Sequence, residues 1–226
     1  MRASSAVAMA VAMAMMWVPQ LRAFMVALVA TLALAPIAAA IEVSGIKVDE
    51  KVKVANQDLV LNGSGIRYAA AGLVRVYVAS LYLPQKSTTS AQIAGLKGAK
   101  RMHLNLLRDI NANDFSKGLM GGMRANLPAV EQQKHFDALL KLGAIFGQIP
   151  SLKKGETISV DSIPGTGTVI LVNGKKVGES FPDEAFFSAL LQIWLGPKPI
   201  EDSLKPVLLG INPSNDNSSG NVRERF

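Results

Sequence analysis

The chain has 226 residues, 49% of them hydrophobic and 18% charged, with a formal net charge of +7. That apolar content is enough for a sizeable core and rules out wholesale disorder or a collagen-like repeat. With no Cys and only His103 and His135, disulfides, thiol nucleophiles, Cys-ligated metals and a His-rich site have little or nothing to draw on.

Residues 1–40 contain no acidic side chain and two basic ones, Arg2 and Arg22. Ala23 to Leu34 is apolar apart from Thr31, and Pro36 and Ala38-Ala39-Ala40 follow. A cation, an apolar run and a small-residue site form the pattern of a secretory signal peptide, with cleavage expected after Ala40. An uncleaved anchor is the alternative, since Ala23 to Ile41 is nearly long enough to span a bilayer. Translation starting at Met15 or Met16 would give a leader of ordinary length. The expected product is exported, in a periplasm-like compartment, and begins at Ile41. Loss of Arg2 and Arg22 lowers its formal charge to +5. Its basic residues are scattered rather than striped, so no nucleic-acid partner is expected. No later segment has eighteen consecutive apolar residues, so no further membrane span is expected.

Strand-like runs come first: Ile41–Val48, Lys51–Val54, Asp58–Leu61, Ile66–Ala70 and Leu73–Leu83, punctuated by Asn62-Gly63, Gly65 and Gly72. The last is apolar on both faces and reads as a central strand. A short helix near Ala91–Lys97 leads to a strand at Lys100–Leu107. Phe115, Leu119 and Met123 then recur at helical spacing after a capping candidate, Asn113. A second helix is expected from Pro128 to Gly147, with Val130, Phe136, Leu139, Leu140, Gly143 and Phe146 as its apolar stripe. Strands return at Glu156–Ser162, Thr166–Val172 and Lys175–Ser180, with Asn173-Gly174 a type I′ hairpin turn. An amphipathic helix, Asp183–Leu195, is closed by Gly196, and a short helix follows at Glu201–Leu209. The Asn/Ser-rich tail, residues 211–226, reads as flexible. The order predicts one α+β domain over residues 41–210, an antiparallel sheet with helices on one face.

Several motifs carry nothing. Gly165-Thr-Gly-Thr168 lacks the Lys of a phosphate loop and reads as a turn, and the S-x-x-K of Ser151 to Lys154 has no companion K-T-G. His103 in a strand and His135 on the polar side of a helix have no ligand-spaced partners, so neither a metal nor a cofactor is expected. Arg67 and Tyr77 are more informative, because Gly72 lies midway between them. A hairpin looped at Ala71-Gly72-Leu73 would set them opposite each other on one face. A planar fork of donors beside a phenol suits a carboxylate or another oxyanion. The bland alternative is that Arg67 pairs with Asp58 while Tyr77 merely packs.

Leu61-Asn-Gly-Ser-Gly-Ile-Arg67, Val76-Tyr-Val-Ala-Ser-Leu-Tyr-Leu83, Leu107-Arg-Asp109, Pro164-Gly-Thr-Gly-Thr168 with Val172-Asn-Gly174, and Ile193-Trp-Leu-Gly196 followed by Leu204-Lys-Pro-Val-Leu-Leu-Gly210 occur in order. Together they resemble the chalcone isomerase-like proteins over roughly Ile41 to Gly210. The resemblance implies an open-faced β-sandwich, a large antiparallel sheet covered by helices with a cleft between the layers. That family holds true isomerases and non-catalytic fatty-acid binders. The substrate-holding Arg of the plant enzymes maps onto Arg67, and a Thr onto Tyr77. A Tyr and an Asn of a central helix fall at about Val130 and Asp137, and a Thr of the last long helix at about Ile193. Val130 and Ile193 donate nothing, whereas Arg67 with Tyr77 resembles the carboxylate clamp of the fatty-acid-binding branch.

The expectation is therefore a non-catalytic exported binder of a fatty acid or similar amphiphile, with Arg67 and Tyr77 on its head group. Leu73, Ala79, Leu81, Met123, Val130, Phe136, Asp137, Leu140, Leu190 and Ile193 are the expected wall. A ring-closing isomerase using Arg67 and Tyr77, and an envelope scaffold with no small ligand, are the alternatives.

Overall fold

The computed structural model describes residues 40–211 apart from Ala71. The expected leader, except Ala40, and the tail beyond Ile211 lie outside those residues.

Seven strands form one antiparallel sheet in strict chain order. They are β3 (Lys51–Val54), β4 (Gln57–Ala69), β5 (Val74–Leu83), β6 (Lys100–Leu106), β7 (Thr157–Ile163), β8 (Gly167–Val172) and β9 (Lys175–Lys176). The first expected strand, Ile41–Val48, is instead a separate hairpin, β1 (Ala40–Val43) with β2 (Ile46–Asp49). Ser44 and Gly45 both take positive φ there, the type I′ geometry that matches strand twist. Ala55-Asn56 and the expected Asn173-Gly174 turn do the same. The ninth strand is shorter than Lys175–Ser180, because Gly178 turns the chain at φ +65 beside Ile145.

The Asn62-Gly63 pair lies within β4 as a bulge, where a turn between two strands was expected. Asn62 is buried, and its amide donates to the Ser87 carbonyl (2.9 Å) and the Leu208 carbonyl (2.7 Å) while its oxygen accepts from the Ser87 amide (2.8 Å). A second bulge lies opposite, at Val76. Between the two, Gly63, Gly65 and Arg67 face Leu81, Ala79 and Tyr77.

One face of the sheet carries the main core. Tyr77, Ala79, Leu81, Met102, Leu104, Ile158, Val160 and Ile170 point there and meet the helices. These are α1 (Ser90–Gly95), α2 (Ala112–Asn126), α3 (Ala129–Lys134), α4 (Phe136–Gly147), α5 (Ala185–Leu195) and α6 (Leu204–Leu208). Helix α5 is buried on nearly every side, with Phe186, Phe187, Ile193 and Trp194 among its core residues. The expected second helix is broken at His135, whose backbone (φ −99, ψ 11) leaves the helical region. The stripe that α4 buries is Leu139, Leu142, Ile145 and Phe146, and Val130, Phe136 and Leu140 are exposed. His135 is not on a polar face either: it is 3% exposed, tilted against Phe186, with Asp183 3.3 Å from Nδ1 but off the hydrogen-bond line.

The β1–β2 hairpin packs a smaller cluster on the opposite face, around Val48, Leu59, Val78 and Tyr82. Polar pairs cross the strands there. Ser64 and Ser80 share a 2.8 Å bond, His103 Nδ1 lies 2.8 Å from Ser159 Oγ, and Arg101 forks onto Asp161 at 2.7 and 2.6 Å. Burial, then the Arg101 charge, hold His103 down at about 4. A His depressed from its ordinary 6.5 is neutral in the fold while the unfolded chain protonates first. Its stabilising contribution is therefore complete above pH 6.5 and declines as pH falls towards 4, by about 3 kcal/mol at most. Thermal unfolding followed from pH 7 to 4 is expected to show this acid limb, and His103→Gln to flatten it. An unchanged limb in the variant would assign the loss to other groups.

Candidate functional site

A hollow of about 310 Å³ opens between the sheet and the start of α2. Its floor is Arg67 and Ala69 of β4 with Val76 and Tyr77 of β5. The connection from β6 supplies Arg108, Asp109 and Ile110, and Asn111, Asp114, Phe115, Gly118 and Leu119 form the helical side. Ile200, just before α6, closes the edge. Exposed charges sit at the rim, whereas Val76, Tyr77, Phe115 and Leu119 are buried.

Arg67 and Tyr77 are opposed in the ladder, as expected, though the route differs. Residues 70–73 link β4 to β5, with Ala69 paired to Val74 and Tyr68 to Arg75. Continued regularly, that register would place Arg67 opposite Val76. The bulge at Val76 shifts it by one residue and delivers Tyr77. The Arg67 guanidinium carbon stands 5.7 Å from the Tyr77 ring centre, within reach of a cation–π attraction. Asp58, the alternative partner, bonds Lys53 instead (3.4 Å). Among the described residues no carboxylate lies within ion-pair distance of Arg67, and its Nε is buried without a hydrogen-bond partner. Such an orphan donor costs on the order of 1–3 kcal/mol, which an incoming acceptor would relieve.

Tyr77 is 3% exposed, and its hydroxyl oxygen accepts a hydrogen bond from Trp194 Nε1 at 2.9 Å. The Trp has no lone pair to offer in return, so the phenolic proton is free to be donated elsewhere. Burial pushes the phenol up to about 12 against the opposing pull of Arg67, so it stays a donor at ordinary pH. One half-buried cation fork, its Nε fully enclosed, and one neutral O–H donor thus line the hollow. That chemistry fits a single anionic, oxygen-bearing head group.

The expected wall is largely displaced. Leu73 is 86% exposed at the hairpin tip, and Val130, Phe136, Asp137 and Leu140 face solvent on the two helices that meet at His135. Ala79, Leu81, Met123 and Ile193 are buried in the core without lining the hollow. Leu190 lines a separate inner hollow of about 10 Å³. The positions aligned with the isomerases' helix-borne groups therefore bring no donor to Arg67. On α2 the expected wall residue is Met123, whereas Phe115 and Leu119 line the hollow, and the cap is not Asn113. Asn111 is the cap, its side chain accepting from the backbone amides of residues 113 and 114 at 2.9 and 3.3 Å. The Phe115, Leu119, Met123 stripe was itself legible, and its first two members form the wall.

A larger hollow, about 420 Å³, lies by Ile41, Glu50, Asn62, Ser64 and Lys86. Its buried polar side chain, Asn62, has its hydrogen bonds filled from within, and Lys86 is exposed. It shows no unmet demand comparable to Arg67.

A chalcone isomerase-like family model matches residues 40–210, and the chain belongs to that family. None of the curated proteins searched matches it. Among solved structures, a fatty-acid binding protein of Arabidopsis thaliana shares the fold with a TM-score of 0.58 and 14% sequence identity. The match covers 76% of this chain and 96% of that one. The curled seven-stranded sheet with its helical layer is the shared architecture. No described helix is long and apolar enough to cross a membrane.

Proposed function

We propose that the protein is an exported, non-catalytic binder of a fatty acid or a similar amphiphilic carboxylate. The observation that carries this reading is the buried Arg67 Nε, unpartnered and opposed to a phenol whose proton is free. In the proposed complex the carboxylate accepts from the Arg67 guanidinium and from Tyr77, and the hydrocarbon lies along Val76, Phe115 and Leu119. The binding activity named for the Arabidopsis protein agrees with this ligand class, and the signal-peptide pattern supports export. The lack of ring-orienting donors at Val130 and Ile193 supports binding over isomerisation.

Calorimetric titration with decanoate and with methyl decanoate at pH 8 tests the head-group assignment. The ester keeps the chain and loses the charge, so it is expected to bind at least tenfold more weakly, the worth of one charge-assisted hydrogen bond. Equal affinities would contradict the clamp. Decanoate affinity is also expected to hold steady from pH 7 to 10, because the Tyr77 phenol ionises only at about 12. A fall near pH 8 would assign the donor elsewhere.

A further inference from the structure

Two hollows share a wall, since Phe115 and Leu119 line both. The outer one is the Arg67 site, about 310 Å³. The inner one, about 10 Å³, is walled by Leu142, Phe146, Leu190 and Trp194 and is entirely apolar. A space of that size is at the limit for a single water molecule, so no methylene chain continues past the partition. The partition is stiff. The Phe115 ring meets Phe146 edge-on, with centroids 5.2 Å apart and planes at 62°, and Phe115 is 8% exposed.

We propose that Phe115, backed by Leu119, sets the length of acyl chain the site accepts, so that the preferred ligand is a short- or medium-chain carboxylate. The inference rests on the carboxylate reading above. A chain whose head is held at Arg67 and Tyr77 runs inward along apolar wall and stops against the Phe115 ring. Each methylene up to that point gains burial, and each one beyond it must stay in water or displace the ring. Removing the ring joins the two hollows and gives longer chains an apolar path between the sheet and α5.

The test is titration of the wild-type protein, Phe115→Ala and Phe115→Leu with hexanoate, decanoate and palmitate, each below its critical micelle concentration. Wild-type affinity is expected to rise from hexanoate to decanoate by about fourfold per buried methylene and then stop rising. In Phe115→Ala the rise is expected to continue to palmitate, moving the palmitate-to-decanoate ratio by at least tenfold. Phe115→Leu keeps an apolar side chain on α2 and is expected to fall between them. It supplies the reading if circular dichroism shows the Ala variant unfolded. Wild-type preference for palmitate, or an unchanged chain-length profile in the folded variants, overturns the gate while leaving the head-group clamp intact. Failure of all three carboxylates to bind any of the proteins overturns the clamp and the gate with it.

Discussion

Arg67→Ala is expected to weaken decanoate binding about 100-fold while leaving the fold in place. The loss corresponds to about 3 kcal/mol, the upper range for hydrogen bonds to a charged group in a partly enclosed site. The stability half of the expectation is the sharper one. Arg67 forms no ion pair among the described residues, and its Nε is an unmet buried donor, so the substitution removes a cost as well as a side chain. The melting temperature is expected to stay level or rise slightly, the usual relation where a site holds an unsatisfied group in readiness for ligand. Thermal unfolding and calorimetry on the same sample read both effects. Lost binding together with a large loss of stability would show Arg67 to be a structural residue. Retained binding would remove it from the site.

The second large effect belongs to Gly63. A Cβ there would stand 1.9 Å from the Val207 carbonyl oxygen, and one at Gly65 would stand 2.9 Å from Leu204 Cδ1. The helix α6 lies directly on the β4 backbone at these residues, and Asn62 fastens it through the Leu208 carbonyl. Backbone cannot yield as a flexible side chain can, so Gly63→Ala is expected to cost about 3 kcal/mol or more. For a domain of this size that lowers the melting temperature by roughly 10 °C. Ile200, which closes the hollow, leads into α6, so decanoate affinity is expected to fall as well. Gly65→Ala meets a side chain and is expected to cost less. Equal, small effects at both positions would refute this account of α6 docking.

These two residues share a logic that was only partly legible in the sequence. Gly63, Gly65 and Arg67 alternate along one face of β4, so the strand is bare where α6 lies on it and carries its cation just beyond. The spacing of Arg67 and Tyr77 about Gly72 pointed to the right pair. It could not reveal that the link spans residues 70–73 and that a bulge at Val76 restores the pairing. A bulge is a tertiary compromise with weak local sequence signature, and Asn62-Gly63 carried the signature of a turn instead. What the pair of letters concealed was a buried Asn amide already committed to the Ser87 and Leu208 carbonyls.

The helical wall was the least legible part. Of the expected stripe, Leu139 and Phe146 are buried, joined by Leu142 and Ile145, whereas Val130, Phe136 and Leu140 are exposed. Phe136 and Leu140 neighbour Leu139 on the same helix, so local spacing alone does not say which of them turns to the core. At the break before that helix, the buried His135 packs against Phe186, some fifty residues away in the chain, a contact no local window contains. By contrast, Phe115, Leu119 and Met123 had no rival stripe, and all three are buried. The antiparallel sheet was legible too, and its strands pair with their neighbours in sequence.

The most direct measurement is a crystal structure with decanoate brominated at its terminal carbon, the bromine located by anomalous scattering. The account predicts carboxylate oxygens within hydrogen-bond distance of the Arg67 guanidinium and Tyr77 Oη, with the bromine beside Phe115. A carboxylate seated by Lys86, or one lying outside hydrogen-bond reach of Arg67, would contradict it.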